Sequence, residues 1–214
     1  MTTAVEVDLG RRLRAVPAPR PVMERGREER LTNRQREVLG LLGDLFDDGF
    51  AHLTMADIAG RVGCSLRTLY DLAPSRDELV LTVVDRNLRR IGRSAVGALD
   101  GDPAPLDAIR AYLRAANEAV AATTPAFARD RAATPAADRL VTAHSDYLVA
   151  VTRTLLDLAV ERGDLAPVDT AAVARVVAGL GDLFALPDHL AEIDSTPKEA
   201  ADAMVDVILR GLAP

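Results

Sequence analysis

Residues Thr54 to Leu79 read TMADIAGRVGCSLRTLYDLAPSRDEL, and no other stretch restricts the fold of this chain as sharply. Three helix starts are written into it. Thr54 stands three residues before Asp57 as a reciprocal capping pair, Ser65 follows Gly63 closely as a second N-cap, and Ser75 precedes Glu78 as a third, just after Pro74. Helices so closely spaced must touch near their turn, and the sequence supplies the parts: Ala59 as the small contact residue, Gly63 at the turn, and Leu69 pointing back. Ile58, Val62 and Leu72 complete one apolar face at helical spacing. Such a pair either lies in an ordinary helical core or presents its second helix to the major groove of DNA. The opposite face of that helix favours DNA, because it carries Leu66, Arg67, Thr68, Tyr70 and Asp71. Arg pairs bidentately with guanine, Thr meets a phosphate or a thymine methyl, and Tyr donates to a phosphate. The expected DNA contacts are therefore Thr54, Ser65, Leu66, Arg67, Thr68 and Tyr70, with Arg76 holding backbone phosphate at the start of the next helix.

This run resembles the DNA-binding domain of the tetracycline-repressor (TetR) family of bacterial regulators. The resemblance is carried by Thr54, Ile58, Ala59, Gly63, Cys64, Ser65, Arg67, Thr68, Leu69, Tyr70, Ala73, Ser75, Arg76, Asp77 and Leu79. Three positions depart from the family pattern. Arg67 replaces a small residue, Arg76 replaces a lysine, and Ala73 replaces an aromatic that in the family packs beneath the recognition helix. The resemblance implies an all-α protein of about nine helices: an N-terminal three-helix helix-turn-helix domain, then a helical ligand-binding and dimerisation domain.

Composition agrees with helices. Apolar residues make up 49% of the 214, aromatics only 3%, so Ala, Leu and Val must build a close-packed core. The net charge of −6 is unevenly spread. Residues 1–36 hold nine Arg against five acids, whereas residues 101–214 hold ten basic groups against seventeen acids. A basic front with an acidic body suits a protein whose front alone meets phosphates. No apolar run is long enough to cross a bilayer and the N-terminus lacks an apolar signal core, so the expected location is the cytoplasm. Cys64 is the single cysteine, which leaves no intrachain disulfide and no zinc-ligand set; it reads as a small turn residue, with a redox role as the alternative.

The expected organisation is a disordered Arg/Pro-rich arm over 1–30, the helix-turn-helix domain over 31–78, and the effector-binding and dimerisation domain over 79–214. Residues 79–100 form its connecting helix, read as the only continuous element joining head to body. The arm lacks an amphipathic period; it is either a solvated tail or a phosphate-reaching arm. A first helix starts at Thr32, capped with Gln35, and buries Val38, Leu41, Leu42, Leu45 and Phe46. The turn cluster Asp100–Pro103 marks the boundary. Five further helices are expected near 105–122, 125–132, 135–162, 169–185 and 197–211, with Thr-Pro pairs at 124–125, 134–135 and 196–197 as starts.

Two stripes on the last helices are read as a dimer interface, Val173, Val176, Val177 and Leu180 on one, Met204, Val205, Ile208 and Leu212 on the other. In the resembled family these helices pair with their symmetry mates. Polar and aromatic groups among the apolar body residues mark a ligand pocket: Tyr112, Asn117, Phe127, His144, Tyr147 and Phe184. No metal site, cofactor motif or catalytic constellation is present, so the chain is not read as an enzyme. The expected partners are an operator duplex, a small and largely apolar effector, and a second copy of the chain, with no membrane. The expected function is a ligand-released repressor; the alternative is a constitutive or architectural DNA binder without effector response.

Overall fold

Short polar side chains start most of these helices and glycine or proline ends them, and the computed structural model follows that punctuation. It describes residues 2–99, 104–121 and 123–212, among which there are twelve α-helices and no strand. In order they are α1 (Thr2–Ala15), α2 (Arg25–Glu29), α3 (Asn33–Asp47), α4 (Met55–Arg61), α5 (Leu66–Leu72) and α6 (Arg76–Gly97). They continue with α7 (Pro105–Ala116), α8 (Pro125–Ala132), α9 (Pro135–Arg162), α10 (Thr170–Phe184), α11 (Pro187–Leu190) and α12 (Pro197–Leu212). A 3₁₀ turn, Asn117–Val120, closes α7.

The nine expected helices are all present, and α1, α2 and α11 are additional. Thr32 and Thr54 form full capping boxes with Gln35 and Asp57, and Thr124 accepts the N–H of Phe127. Thr134 does otherwise: its hydroxyl donates back to the carbonyl of Asp130 at 2.8 Å, leaving Pro135 alone to open α9. Residues 2–15 and 25–29, expected to be without regular structure, are helical. Leu9, Leu13 and Val16 lie four and three apart, and that short stripe packs on a hydrophobic core. On α3 the buried stripe is Val38, Leu39, Leu42 and Phe46, so Leu41, at its edge, is left 41% exposed. The expected boundary turn, Asp100–Pro103, lies outside the described residues.

The chain packs as two units. The head comprises Arg20–Arg89 and Thr123–Thr142; the body takes the described residues of Met1–Pro19, Arg90–Ala122 and Ala143–Pro214. This division differs from a cut near residue 78: α8 and the start of α9 belong to the head, and two helices, α6 and α9, run continuously from one unit into the other. The head core is built on Val38, Leu42, Phe46, Ile58, Leu69, Leu72 and Leu79. The body core gathers Ile109, Tyr112, Leu113, Leu156, Val177, Val205 and Leu209 from α7, α9, α10 and α12. Each fully buried Leu or Val contributes about 1.5–3 kcal/mol.

Candidate nucleic-acid interface

The candidate interface is α4, a glycine turn and α5. Thr54 Oγ1 accepts the N–H of Asp57 at 3.2 Å, and Asp57 Oδ2 takes the Thr54 N–H at 3.0 Å, so the first turn of α4 is tied reciprocally. Those hydrogen bonds, the hydroxyl of Thr54 first, hold the Asp57 carboxyl below its ordinary range. Gly63 takes φ +62°, which lets the chain reverse, and the Cys64 N–H closes onto the carbonyl of Ala59 at 3.0 Å. Arg34 braces the turn from α3 by donating to the Gly63 carbonyl at 2.7 Å. Partial burial pushes the Cys64 thiol up, opposed by the charge of nearby Arg34.

Ser65 then caps α5, its Oγ accepting the Thr68 N–H at 3.1 Å and lying 2.9 Å from the Thr68 hydroxyl. Leu69 and Leu72 are fully buried against Ile58, Ala59 and Val62. That contact fixes the rotation of α5 and turns Leu66, Arg67 and Tyr70 outward, with Leu66 44% and Tyr70 51% exposed. Thr54 and Ser65 are exposed at the helix starts, and Thr68 is half-buried between Ser65 and the helix face. Five of the seven expected DNA contacts, Thr54, Ser65, Leu66, Arg67 and Tyr70, are thus exposed on this unit, with Thr68 half-buried. Ala73, where the resembled family carries an aromatic, is 1% exposed in extended backbone that stops α5.

Arg76 is placed differently from expectation. Its Nε donates to the carbonyl of Leu53 at 2.6 Å, and Nη2 donates to those of Phe50 and Ala51, the latter at 3.1 Å. Nη1 pairs with Asp77. A planar fork so engaged is turned onto the main chain before α4, away from a phosphate in solvent. The same loop is held from its N–H side by a residue of α8. Asp130 Oδ2, on α8, accepts the N–H groups of Phe50 at 2.6 Å and Ala51 at 2.7 Å. Gly49 makes this approach possible, with φ +94° and space so tight that a Cβ would lie 3.1 Å from Asp130 Oδ2 and 3.2 Å from the Ala126 Cβ. No local sequence signal marks Asp130, because its partners lie about eighty residues upstream. A cleft of about 290 Å³ beside Phe50, Arg76, Val80 and Arg139 opens on this clamp.

Of the six expected pocket residues, the structure places Tyr112, Asn117, His144, Tyr147 and Phe184 in the body and Phe127 in the head. Phe127 packs edge-on against Phe50 with ring centroids 5.9 Å apart, so it serves the head core. Tyr112 is 2% exposed, and burial, with Tyr147 close by, raises its hydroxyl well above the usual range. Tyr147 and Phe184 pack on the same body core. Asn117 is buried and donates to Asp202 at 2.8 Å, while Gly181 leaves it room. His144 is half-buried on α9, one turn before Tyr147.

The expected dimer stripes divide. Val177, Leu180 and Val205 are buried inside the body, with Val173, Ile208 and Leu212 partly so, because α10 and α12 pack on each other. Val176 at 53% and Met204 at 40% remain outside, joined by Leu183 at 44% and Val207 at 60%. The outward stripe therefore runs through Ala172, Val176, Gly179 and Leu183 on α10, and Ala200, Met204, Val207 and Gly211 on α12, spaced four, three and four on both. Sequence periodicity found both helices, and of the eight residues it selected, Val176 and Met204 are exposed while the others are buried or partly so.

No group of three or more His, Cys, Asp or Glu that could hold a metal ion occurs among the described residues. Among them no helix is long and apolar enough to cross a membrane. No protein-family model matches the sequence, and no curated protein does. Solved structures do match in fold. A TetR family transcriptional regulator from Thermus thermophilus is 24% identical at TM-score 0.59, covering 83% of this chain and 99% of its own. A TetR transcription regulator from Haloarcula marismortui is 18% identical at TM-score 0.69, covering 86% and 100%. The ketosteroid transcriptional regulator of Mycobacterium tuberculosis is 19% identical at TM-score 0.60, covering 86% and 97%. The chain thus has the fold of TetR-family transcriptional regulators. Those chains are matched almost whole, and a share of this chain about as long as residues 1–30 is left without a counterpart.

Proposed function

We propose that this chain is a TetR-family transcriptional regulator: a homodimer that represses from a palindromic operator and is released by a small, largely apolar effector. The observation that carries this reading is the rotation of α5. Its buried Leu69 and Leu72 set Leu66, Arg67 and Tyr70 on one exposed face, beside the helix starts at Thr54 and Ser65. A major groove admits a helix of this kind, and Arg67 supplies a bidentate reader for guanine. Two copies are needed to read two half-sites, and the outward stripe of α10 and α12 is the self-complementary apolar face a two-fold pair requires. In the same reading, residues 31–78 carry DNA recognition and the helices beyond carry the effector response. The effector class is supported by the mainly apolar body around Tyr112, Tyr147 and Phe184, and by the ketosteroid regulator of the same fold.

Selection from a random duplex library with the full-length protein tests the reading. Enrichment of two-fold symmetric sites bound by two copies supports it; no enrichment above scrambled duplex rejects it. The effector half has its own test. Operator and effector must each lower the other's affinity by one common factor, with a coupling of about 1–3 kcal/mol for a useful switch. Calorimetric titration of apolar candidates, with and without operator, should show that equal reduction for the inducer. Equal affinities across a broad apolar library favour the constitutive DNA binder.

A further inference from the structure

Gly49 reverses the chain after α3 at φ +94°, and residues 50–53 lead from there to Thr54, the N-cap of α4. One backbone bond, from the Leu53 N–H to the Phe50 carbonyl at 3.1 Å, closes a turn in this loop. Phe50 is 2% exposed, so its own N–H must find an acceptor in the protein. Arg76 grips the carbonyl edge of the loop at Phe50, Ala51 and Leu53, which leaves the N–H edge to another element.

Helix α8 meets that edge with one face. Thr124, Phe127 and Asp130 stand three residues apart, so their side chains line up along the helix. The Thr124 hydroxyl donates to the carbonyl of Asp47, the last residue of α3, while accepting the Phe127 N–H at 3.1 Å. The Phe127 ring meets Phe50 edge-on, and the Phe50 ring in turn lies 5.9 Å from that of Phe46. Asp130 Oδ2 then takes the N–H groups of Phe50 and Ala51 at 2.6 and 2.7 Å. Two bonds to one charged oxygen are strong, and they fix the direction of two successive peptide groups, which a ring contact does not. All of these residues belong to the head.

We propose that Asp130 is a positioning residue for DNA reading: it sets the loop before α4 and, through α4, the placement of α5. The chain of contacts is short. Residues 50–53 fix where Thr54 starts α4, and Ile58, Ala59 and Val62 receive Leu69 and Leu72 of α5. Base edges demand an accurately placed helix, whereas phosphates are met by long side chains that tolerate a small displacement. Loss of the Asp130 clamp therefore falls on discrimination more than on general affinity. That α5 reads bases rests on the function proposed above; that Asp130 holds the loop does not.

Fluorescence anisotropy of the full-length protein on the selected operator and on scrambled duplex tests this role. Salt is fixed, and the temperature is well below the melting point of every variant. Asp130→Ala should weaken operator binding by about five- to thirty-fold, the size of one or two lost hydrogen bonds, and leave scrambled duplex within about two-fold. Asp130→Asn, which keeps an oxygen for both N–H groups, should stay within about three-fold of wild type on the operator. Amide exchange without DNA should be faster in residues 50–61 of Asp130→Ala and unchanged in α7. If Asp130→Ala fails to fold, Asp130→Glu, whose oxygens sit one methylene further out, decides by the same readings. Wild-type operator preference in the folded variant, equal loss on both duplexes, or wild-type exchange in residues 50–61 overturns the role of Asp130. A wild type that binds operator and scrambled duplex alike rejects the DNA-binding reading itself, and the exchange result then still decides whether Asp130 holds the loop.

Discussion

Arg67 and Arg76 carry the same charge, yet the fold uses them oppositely. Arg67 stands exposed on α5, whereas Arg76 spends its donors on the carbonyls of Phe50, Ala51 and Leu53. Arg76→Ala should therefore act on stability: loss of those partners costs about 1–3 kcal/mol, read as a lowered melting temperature. The salt dependence of DNA binding should stay as in wild type; a slope reduced by about one unit would instead restore a phosphate role. The residue types around the turn were legible in the sequence, and so were the caps. The direction of Arg76 was not, since its acceptors lie more than twenty residues upstream and only the folded loop brings them close. Asp57 gives a second expectation at this scale. Its folded-state carboxyl titrates below the ordinary value of 3.8, so its contribution is present above that value and is lost as pH falls through the lowered one. Thr54→Val removes the leading cause, and NMR titration should find the Asp57 carboxyl moved up toward 3.8; an unmoved titration would disprove the capping account.

Among the elements, helix existence was the most legible property, because Thr-Pro starts, glycine stops and apolar spacing agree at the same positions. Which face a helix buries was less so. The stripes on α10 and α12 are apolar on more than one side, and only packing decides that Val177 and Val205 lie inside while Val176 and Val207 lie outside. Residues 1–30 failed differently: Leu9, Leu13 and Val16 form too short a stripe to stand out from the Arg and Pro around them, so α1 is seen only where a core receives it. Phe127 failed because a side chain's unit cannot be read from its place in the chain; α8 belongs to the head through Asp130, Thr124 and the Phe50 ring. At this scale Val207→Arg, at a position 60% exposed, should leave the folded protomer's melting behaviour nearly intact and shift the protein to monomer in sedimentation. An unchanged dimer would move the interface away from the outward stripe.

For the whole molecule, the head that carries α4 and α5 balances its basic and acidic residues, and the acidic excess lies in the body built on α7, α9, α10 and α12, which also takes residues 1–19 of the basic front. The chain passes between them at residues 19–20, 89–90, 122–123 and 142–143, twice within continuous helices. Under the proposed function, an effector seated in the body can shift the DNA-binding balance only by binding one state more tightly than the other. All of this rests on α5 reading bases. Fluorescence anisotropy of the wild type and Arg67→Ala, on the selected operator and its single-base variants at fixed salt, measures that most directly. Arg67→Ala should lose about 1–3 kcal/mol on the operator and cease to discriminate at one position of each half-site, while binding to scrambled duplex changes little. Equal affinity of the wild type for operator and scrambled duplex, or an Arg67→Ala variant with wild-type affinity and preference, would contradict the account.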